Sequence, residues 1–243
     1  MTEQVADGVM RVGSRAHNYY LLLDDGRVTI IDAGCSREWS TLLDALEASG
    51  VALASVEAVI VTHAHSDHFG LARKLTAADI EVSVHADEET RATGRYRGRF
   101  AVTPGELPVY RPVVLVNFLA MIASGVMKLE FPDRVRTFGD GDHLDLPGRP
   151  VVVHTPGHTE GHVMFHVPDR GLLFTGDGLA TMDLLGFDTG PQHLDSRFHL
   201  DAEQANASLD RITGLEADLL LPGHGKPWQG SPAAAVEAVR ARS

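Results

Sequence analysis

A single cysteine, Cys35, serves the whole 243-residue chain. One thiol cannot make an intramolecular disulfide framework or a thiolate-rich zinc site, so any metal must be held by histidine and carboxylate. Cys35 itself, with no base placed beside it by the sequence, reads as a small packed residue rather than a nucleophile. Positive charge is also scarce: 21 Lys and Arg stand against 33 Asp and Glu, a formal net charge of -12. Such a chain repels phosphate backbones and anionic lipid surfaces, which argues against nucleic acid and membrane as partners. Long apolar runs are missing too. The longest, Val113 to Met127, is broken by Asn117, Ser124 and Gly125; a bilayer span needs about 20 apolar residues, so this stretch reads as a buried or capping helix. Met1 to Met10 carries Glu3 and Asp7 and no basic-then-apolar pattern, so it does not read as a secretory signal and the cytoplasm is the expected compartment. No Pro/Gly/Ser-rich linker divides the chain, and 44% hydrophobic with 22% charged residues is ordinary globular composition. One domain over residues 1–243, acting on a small-molecule substrate as a monomer or homodimer, is the expectation.

What is present alternates. Val9 to Val12, Tyr19 to Leu23 and Val28 to Ile31 are short apolar runs parted by turns such as Asp24-Asp25-Gly26, a β-meander pattern. Leu42, Leu43 and Leu46 then recur at helical spacing before Gly50. Ala58 to Val61 is a continuous β-branched run suited to a strand buried on both faces, and a helix over Leu71, Leu75 and Ala78 and a strand over Ile80 to Val84 follow. Strands return at Val135 to Phe138, Val151 to His154, Val163 to Val167, Leu172 to Phe174 and Leu219 to Leu221, with a capped helix from Asp201. The second half repeats the layout of the first, an α/β pattern. Residues 86–132 do not fit it and read as an inserted cap, with Arg91, Arg95, Arg97 and Arg99 ahead of the apolar stretch. Those arginines read first as a solvated face and second as a clamp for an acidic substrate group.

Of the thirteen histidines, any one alone reads as a hydrogen-bonded imidazole. Several, however, fall at strand ends beside Gly or Asp, where α/β folds place their chemistry. In extended backbone residues i and i+2 share a side, so His63 and His65 can aim both rings at one ion. A catalytic divalent ion needs about three protein ligands and an open position for water. His63, His65 and His158 therefore suit one ion, Asp67, His68 and His224 a second, and Asp177 a bridge between them. His162 reads as a residue that packs or orients a neighbour. His193 and His199, on a Gly/Asp-rich loop after Asp177, read as substrate contacts.

Thr62-His63-Ala64-His65-Ser66-Asp67-His68 resembles the THxHxDH motif of the metallo-β-lactamase superfamily, and four further blocks appear in the same order. They are Asp32-Ala33-Gly34, Thr155-Pro156-Gly157-His158, Thr175-Gly176-Asp177 and Pro222-Gly223-His224-Gly225, so the resemblance runs over roughly residues 9 to 230. It implies a four-layer αββα sandwich with two divalent metal ions on one edge, zinc first, with iron and manganese equally suited to His and carboxylate ligands. It also implies that a hydroxide shared by the two ions cleaves an ester, thioester or lactone carbonyl, with Asp67 relaying a proton and Asp32 orienting a ligand imidazole. Asp177 resembles the bridging carboxylate of the glyoxalase II-like and lactonase-like branches, which true β-lactamases generally lack at this block. Because the superfamily hosts many reactions, the substrate does not follow from the resemblance. The competing readings are an iron-dependent enzyme of the sulfur dioxygenase kind and a non-catalytic metal-binding interaction protein. A pocket with apolar walls and no arginine would favour lactones or acyl esters over acidic thioesters.

Overall fold

Four antiparallel strands open the chain in the computed structural model, which describes residues 1–14, 16–98, 104–186 and 189–242. They are β1 (Thr2–Ala6), β2 (Val9–Gly13), β3 (Asn18–Asp24) and β4 (Arg27–Ile31), paired in order. Asp25 and Gly26 make the β3–β4 turn with φ of 48° and 74°, the left-handed pair that an Asp-Gly hairpin supplies. From there the chain crosses by α1 (Trp39–Ala48) to β5 (Val56–Ile60), and by α2 (Ala72–Ala77) to β6 (Glu81–His85). The short α3 (Glu89–Ala92) and the longer α4 (Pro112–Ser124) lie between β6 and β7 (Arg136–Phe138). The pairs β4–β5, β5–β6 and β6–β7 are parallel, which completes a 7-stranded sheet.

The second sheet is built from β8 (Val151–His154), β9 (Val163–Val167) and β10 (Leu172–Gly176). A separate two-stranded ribbon, β11 (Ala180–Met182) with β12 (Thr189–Gln192), and α5 (Ala202–Ser208) intervene before β13 (Leu219–Pro222) and β14 (Trp228–Gln229); α6 (Pro232–Arg240) follows. The sheet order is β14-β13-β10-β9-β8, with β13 parallel to β10 and the other pairs antiparallel.

Sequence neighbours on a strand point to opposite faces, and this produces the layers. Leu21, Ile30 and Val59 turn outward to Leu42, Leu46 and Leu75 of α1 and α2. Their neighbours Leu22, Ile31 and Ile60 turn inward, where they meet Phe165, Phe174 and Leu221 of the other sheet. Leu173 and Leu220 then face outward again, against Leu209, Ile212, Val236 and Val239. Two sheets packed on each other with helices outside are the αββα arrangement, as expected. The strands β1, β11, β12 and β14 and the helix α6 are additional to the sequence expectation. α6 does carry start signals, since Ser231 Oγ accepts from Ala234 N and Pro232 opens the helix. No helix among the described residues is long and apolar enough to cross a membrane.

One edge gathers the ends of all the parallel strands. β4, β5 and β6 finish there in the first sheet. In the second, β8, β10 and β13 run in one direction because β9 reverses between β8 and β10. Two backbone hydrogen bonds among the described residues sew the sheets together at this edge, Val163 N to Thr62 O at 2.9 Å and Asn18 N to Gly223 O at 2.7 Å.

Candidate metal centre

The loop after β5 carries His63, His65, Asp67 and His68. His158 comes from the loop after β8, Asp177 follows β10, and His224 follows β13. The structure brings all seven together. His63 Nε2 lies 3.1 Å from His65 Nδ1, and His158 Nε2 lies 3.1 Å and 3.0 Å from the same two atoms. Three nitrogens bound to one ion at about 2.0–2.1 Å and near-tetrahedral angles would stand about 3.3 Å apart, close to this triangle. Burial holds the His63 and His158 rings well below the ordinary histidine pKa and brings His65 down to about 4, so all three are neutral with lone pairs to give.

The second group is Asp67, His68 and His224. Asp67 Oδ2 stands 3.6 Å from His68 Nε2 and 3.5 Å from His224 Nε2. Asp177 lies between the groups: its Oδ2 is 3.0 Å from His224 Nε2 and 3.5 Å from His158 Nε2, and its Oδ1 is 3.2 Å from His68 Nε2. Burial opposes charge on His68 and His224, but Asp177 and Asp67 outweigh it and hold both rings above the ordinary pKa. Against its own burial, Asp177 is held well below the ordinary carboxyl pKa by His224 and His68. Yet His68 Nε2 and Asp177 Oδ1 are misaligned for a hydrogen bond, and both are buried without another partner. Buried, orphaned polar atoms converging from histidines and carboxylates are the chemistry of a divalent ion such as zinc, iron or manganese.

The His63, His68 and His224 rings are anchored by their far nitrogens, as metal-ligating histidines commonly are. Asp32 Oδ2 lies 2.8 Å from His68 Nδ1, Thr62 Oγ1 lies 3.1 Å from His63 Nδ1, and Ala16 O meets His224 Nδ1. Asp32 is not among the converging donors; it is fixed beneath them by Thr62 N at 2.7 Å. His162 orients the Asp177 loop, because its Nε2 accepts from both Asp177 N and Gly178 N at 3.1 Å. Gly223 is required where it is: a Cβ there would run into Asp177 Oδ1 and the His68 ring.

Glu88 is a site residue that the sequence reading missed. Its side chain is 0% exposed and accepts from Ala64 N at 2.8 Å and Gly161 N at 3.2 Å. It thereby ties the loop bearing His63 and His65 to the one bearing His158. The available signal was its place three residues past the end of β6, on the same edge. Glu88→Ala leaves two buried amides without acceptors, at about 1–3 kcal/mol each. Denaturant unfolding should show a loss of about 3 kcal/mol, and a loss under about 0.5 kcal/mol would contradict this tying role.

A cavity of about 510 Å³ opens over the donors. His65, Asp67, His158, Asp177 and His224 form its floor, and Val114, Phe118, Met121, Leu129, Phe131 and Phe198 form much of its wall. α4 supplies several of these, so the apolar stretch from Val113 is a helix that faces the site. Among the described residues, no arginine or lysine lines the cavity. Arg91 is buried, paired with Glu160 at 2.9 Å and stacked on Tyr96. Arg95 pairs with Glu89, and Arg97 donates to backbone carbonyls; Arg99 lies outside the described residues. His193 and His199, expected as substrate contacts, are not among the described residues lining this cavity. His199 stands behind His158, Nδ1 to Nδ1 at 3.3 Å, with its Nε2 against Leu194 O. Cys35 is fully buried, its thiol pushed up by burial and by Asp67 and Glu38.

Two stacked sheets between helices, with His and Asp donors along one edge, define the metallo-β-lactamase class of fold. The family model described as "Metallo-beta-lactamase superfamily" matches residues 12–224, and the chain belongs to that superfamily. It is 24% identical to the probable metallo-hydrolase YflN of Bacillus subtilis over 239 residues, covering 93% of this chain and 87% of that protein. It is 32% identical to a hydroxyacylglutathione hydrolase of Rhizobium meliloti over 169 residues, 68% of this chain but only 49% of that protein. The fold is similar to that of the metallo-beta-lactamase family protein TTHA1429 of Thermus thermophilus, with a TM-score of 0.70, 23% identity, and 98% of this chain and 80% of that one covered.

Proposed function

We propose that this protein is a dinuclear metal-dependent hydrolase that cleaves an ester or lactone whose acyl part is apolar. The apolar cavity standing directly on the donor cluster carries this reading. In it, His63, His65 and His158 would hold one ion and Asp67, His68 and His224 the other, with Asp177 between the two groups. When bound, divalent ions there would polarise a carbonyl oxygen and bring the pKa of a coordinated water to about 7. The protein does the rest. The α4 wall takes the acyl chain out of water and so orients the scissile carbonyl over the floor. Asp67 lines the cavity, with its Oδ2 toward His68 and His224, and its other carboxylate oxygen is the proposed proton acceptor. Asp32 keeps His68 in the tautomer whose Nε2 faces the floor. A glutathione-like thioester, with its two carboxylates, would find no described cation on this wall, which sets the proposal apart from the activity named for the Rhizobium relative.

The test is elemental analysis of the purified protein followed by a homologous series of ethyl esters and lactones. Each methylene that leaves water is worth about 0.8 kcal/mol, or about fourfold. Going from butyryl to decanoyl should therefore raise kcat/KM by at least about 100-fold. S-Lactoylglutathione turned over better than any apolar ester would sink the acyl assignment. Oxygen consumption by iron-loaded protein, without hydrolysis, would point instead to the sulfur dioxygenase-like alternative.

A further inference from the structure

Apart from Ser66 on the loop that carries the donors, the described side chains of the cavity wall are apolar except at one place on α4. Val114, Asn117, Phe118 and Met121 all line the cavity, at the i, i+3, i+4, i+7 spacing of one helix face, and Asn117 is the polar member of that row. The residue is 3% exposed. Its Nδ2 donates to Leu184 O at 3.1 Å, which settles which end of the amide is which. The Oδ1 atom is buried and has no hydrogen-bond partner among the described residues. An acceptor left bare in an apolar wall is costly to the folded chain, and an aliphatic residue would have served packing better. The χ2 torsion of asparagine is soft, so the amide can pivot on its Leu184 hydrogen bond and present Oδ1 to the cavity.

We infer that Asn117 is a specificity-determining residue whose Oδ1 accepts a hydrogen bond from an O–H or N–H group on the substrate's acyl chain. This rests on the hydrolase reading above and narrows it, from any apolar acyl ester or lactone to one that carries a single hydrogen-bond donor on its acyl part. A hydroxyacyl chain and an acylamino chain offer the same chemistry to Oδ1. Sites built to bond a polar group discriminate against the analogue that lacks it, because their own buried group is then left unpaired.

The experiment compares ethyl decanoate, ethyl 3-hydroxydecanoate and N-octanoylglycine ethyl ester on the wild-type enzyme, Asn117→Leu and Asn117→Ala. Wild-type kcat/KM should favour at least one donor-bearing ester over ethyl decanoate by about tenfold, and which one it favours separates hydroxyacyl from acylamino substrates. In both variants that preference should vanish, with ethyl decanoate turned over as well as or better than before. Equal handling of the three esters by wild type, or an unchanged preference in both variants, would overturn the inference. Calorimetric titration with decanoate, 3-hydroxydecanoate and N-octanoylglycine separates this from failure of the hydrolase reading. Even without ester turnover, tighter binding of a donor-bearing acid that is lost in Asn117→Leu supports the role of Asn117, and equal wild-type binding refutes it.

Discussion

Asp177→Asn is expected to lower kcat/KM by at least about a thousandfold and, on the proposed dinuclear reading, to reduce the bound metal from two ions per chain to one or none. Asp177 is the carboxylate shared by both donor groups, with Oδ2 at 3.0 Å from His224 Nε2 and 3.5 Å from His158 Nε2, and Oδ1 at 3.2 Å from His68 Nε2. Asparagine keeps the shape but removes the negative charge, and it turns one oxygen into an N–H donor aimed at a ring nitrogen that must itself give a lone pair. Both effects act at the floor of the cavity, where low dielectric makes a missing charge expensive. The loop should still form, because it is held by backbone amides to His162 and by Gly223 N to Gly176 O at 2.8 Å. An unchanged melting temperature with elemental analysis near zero or one ion would therefore be the expected pair of results. Full metal content and full turnover in this variant would remove Asp177 from the proposed centre.

The convergence of these seven His and Asp side chains is legible in the sequence for a physical reason. Each follows directly on a strand whose apolar run is legible by itself, and parallel strands of one sheet must end on the same edge. Ile60 and Leu221 point into the core between the sheets, so the next few residues of each strand emerge at its rim. The residue that escaped acts through backbone rather than through a motif. Glu88 serves two amides from different loops, and no spacing in the sequence reports such a partnership; His162, expected to pack or orient a neighbour, accepts from two amides of the Asp177 loop. The facing of α4 escaped for another reason. α4 is apolar around most of its circumference, with Leu115, Val116 and Leu119 exposed at 42%, 50% and 54%, so periodicity could not say which face turns to the site. Only the fold shows that the Val114, Asn117, Met121 face does, and that Arg91 is spent on Glu160 and Tyr96.

The two substitutions at Asp32 should fail in different ways, and the difference tests how the centre is held. Asp32 sits at φ 64°, a left-handed conformation that Asp and Asn tolerate and Ala does not, at about 1–2 kcal/mol. Its Oδ1 accepts from Thr62 N at 2.7 Å and Thr62 Oγ1 at 2.9 Å, while Oδ2 takes the Nδ1 proton of His68 at 2.8 Å. Asp32→Ala strips these buried donors of their acceptor and adds backbone strain. It should destabilise the fold by about 4 kcal/mol in denaturant unfolding, a large part of a domain's usual stability of about 5–15 kcal/mol. Asp32→Asn keeps the backbone conformation and one oxygen, and the Thr62 amide claims that oxygen. The new NH2 then faces His68 Nδ1, which can accept only if the ring proton moves to Nε2, the atom that faces Asp67 and Asp177. The lone pair the centre needs is thereby blocked in a chain that remains folded. Asp32→Asn should consequently melt within a few degrees of wild type yet hold metal about 10–100-fold more weakly against a competing chelator, with turnover falling in proportion. Wild-type metal retention in Asp32→Asn would show that His68 does not depend on this carboxylate for its tautomer.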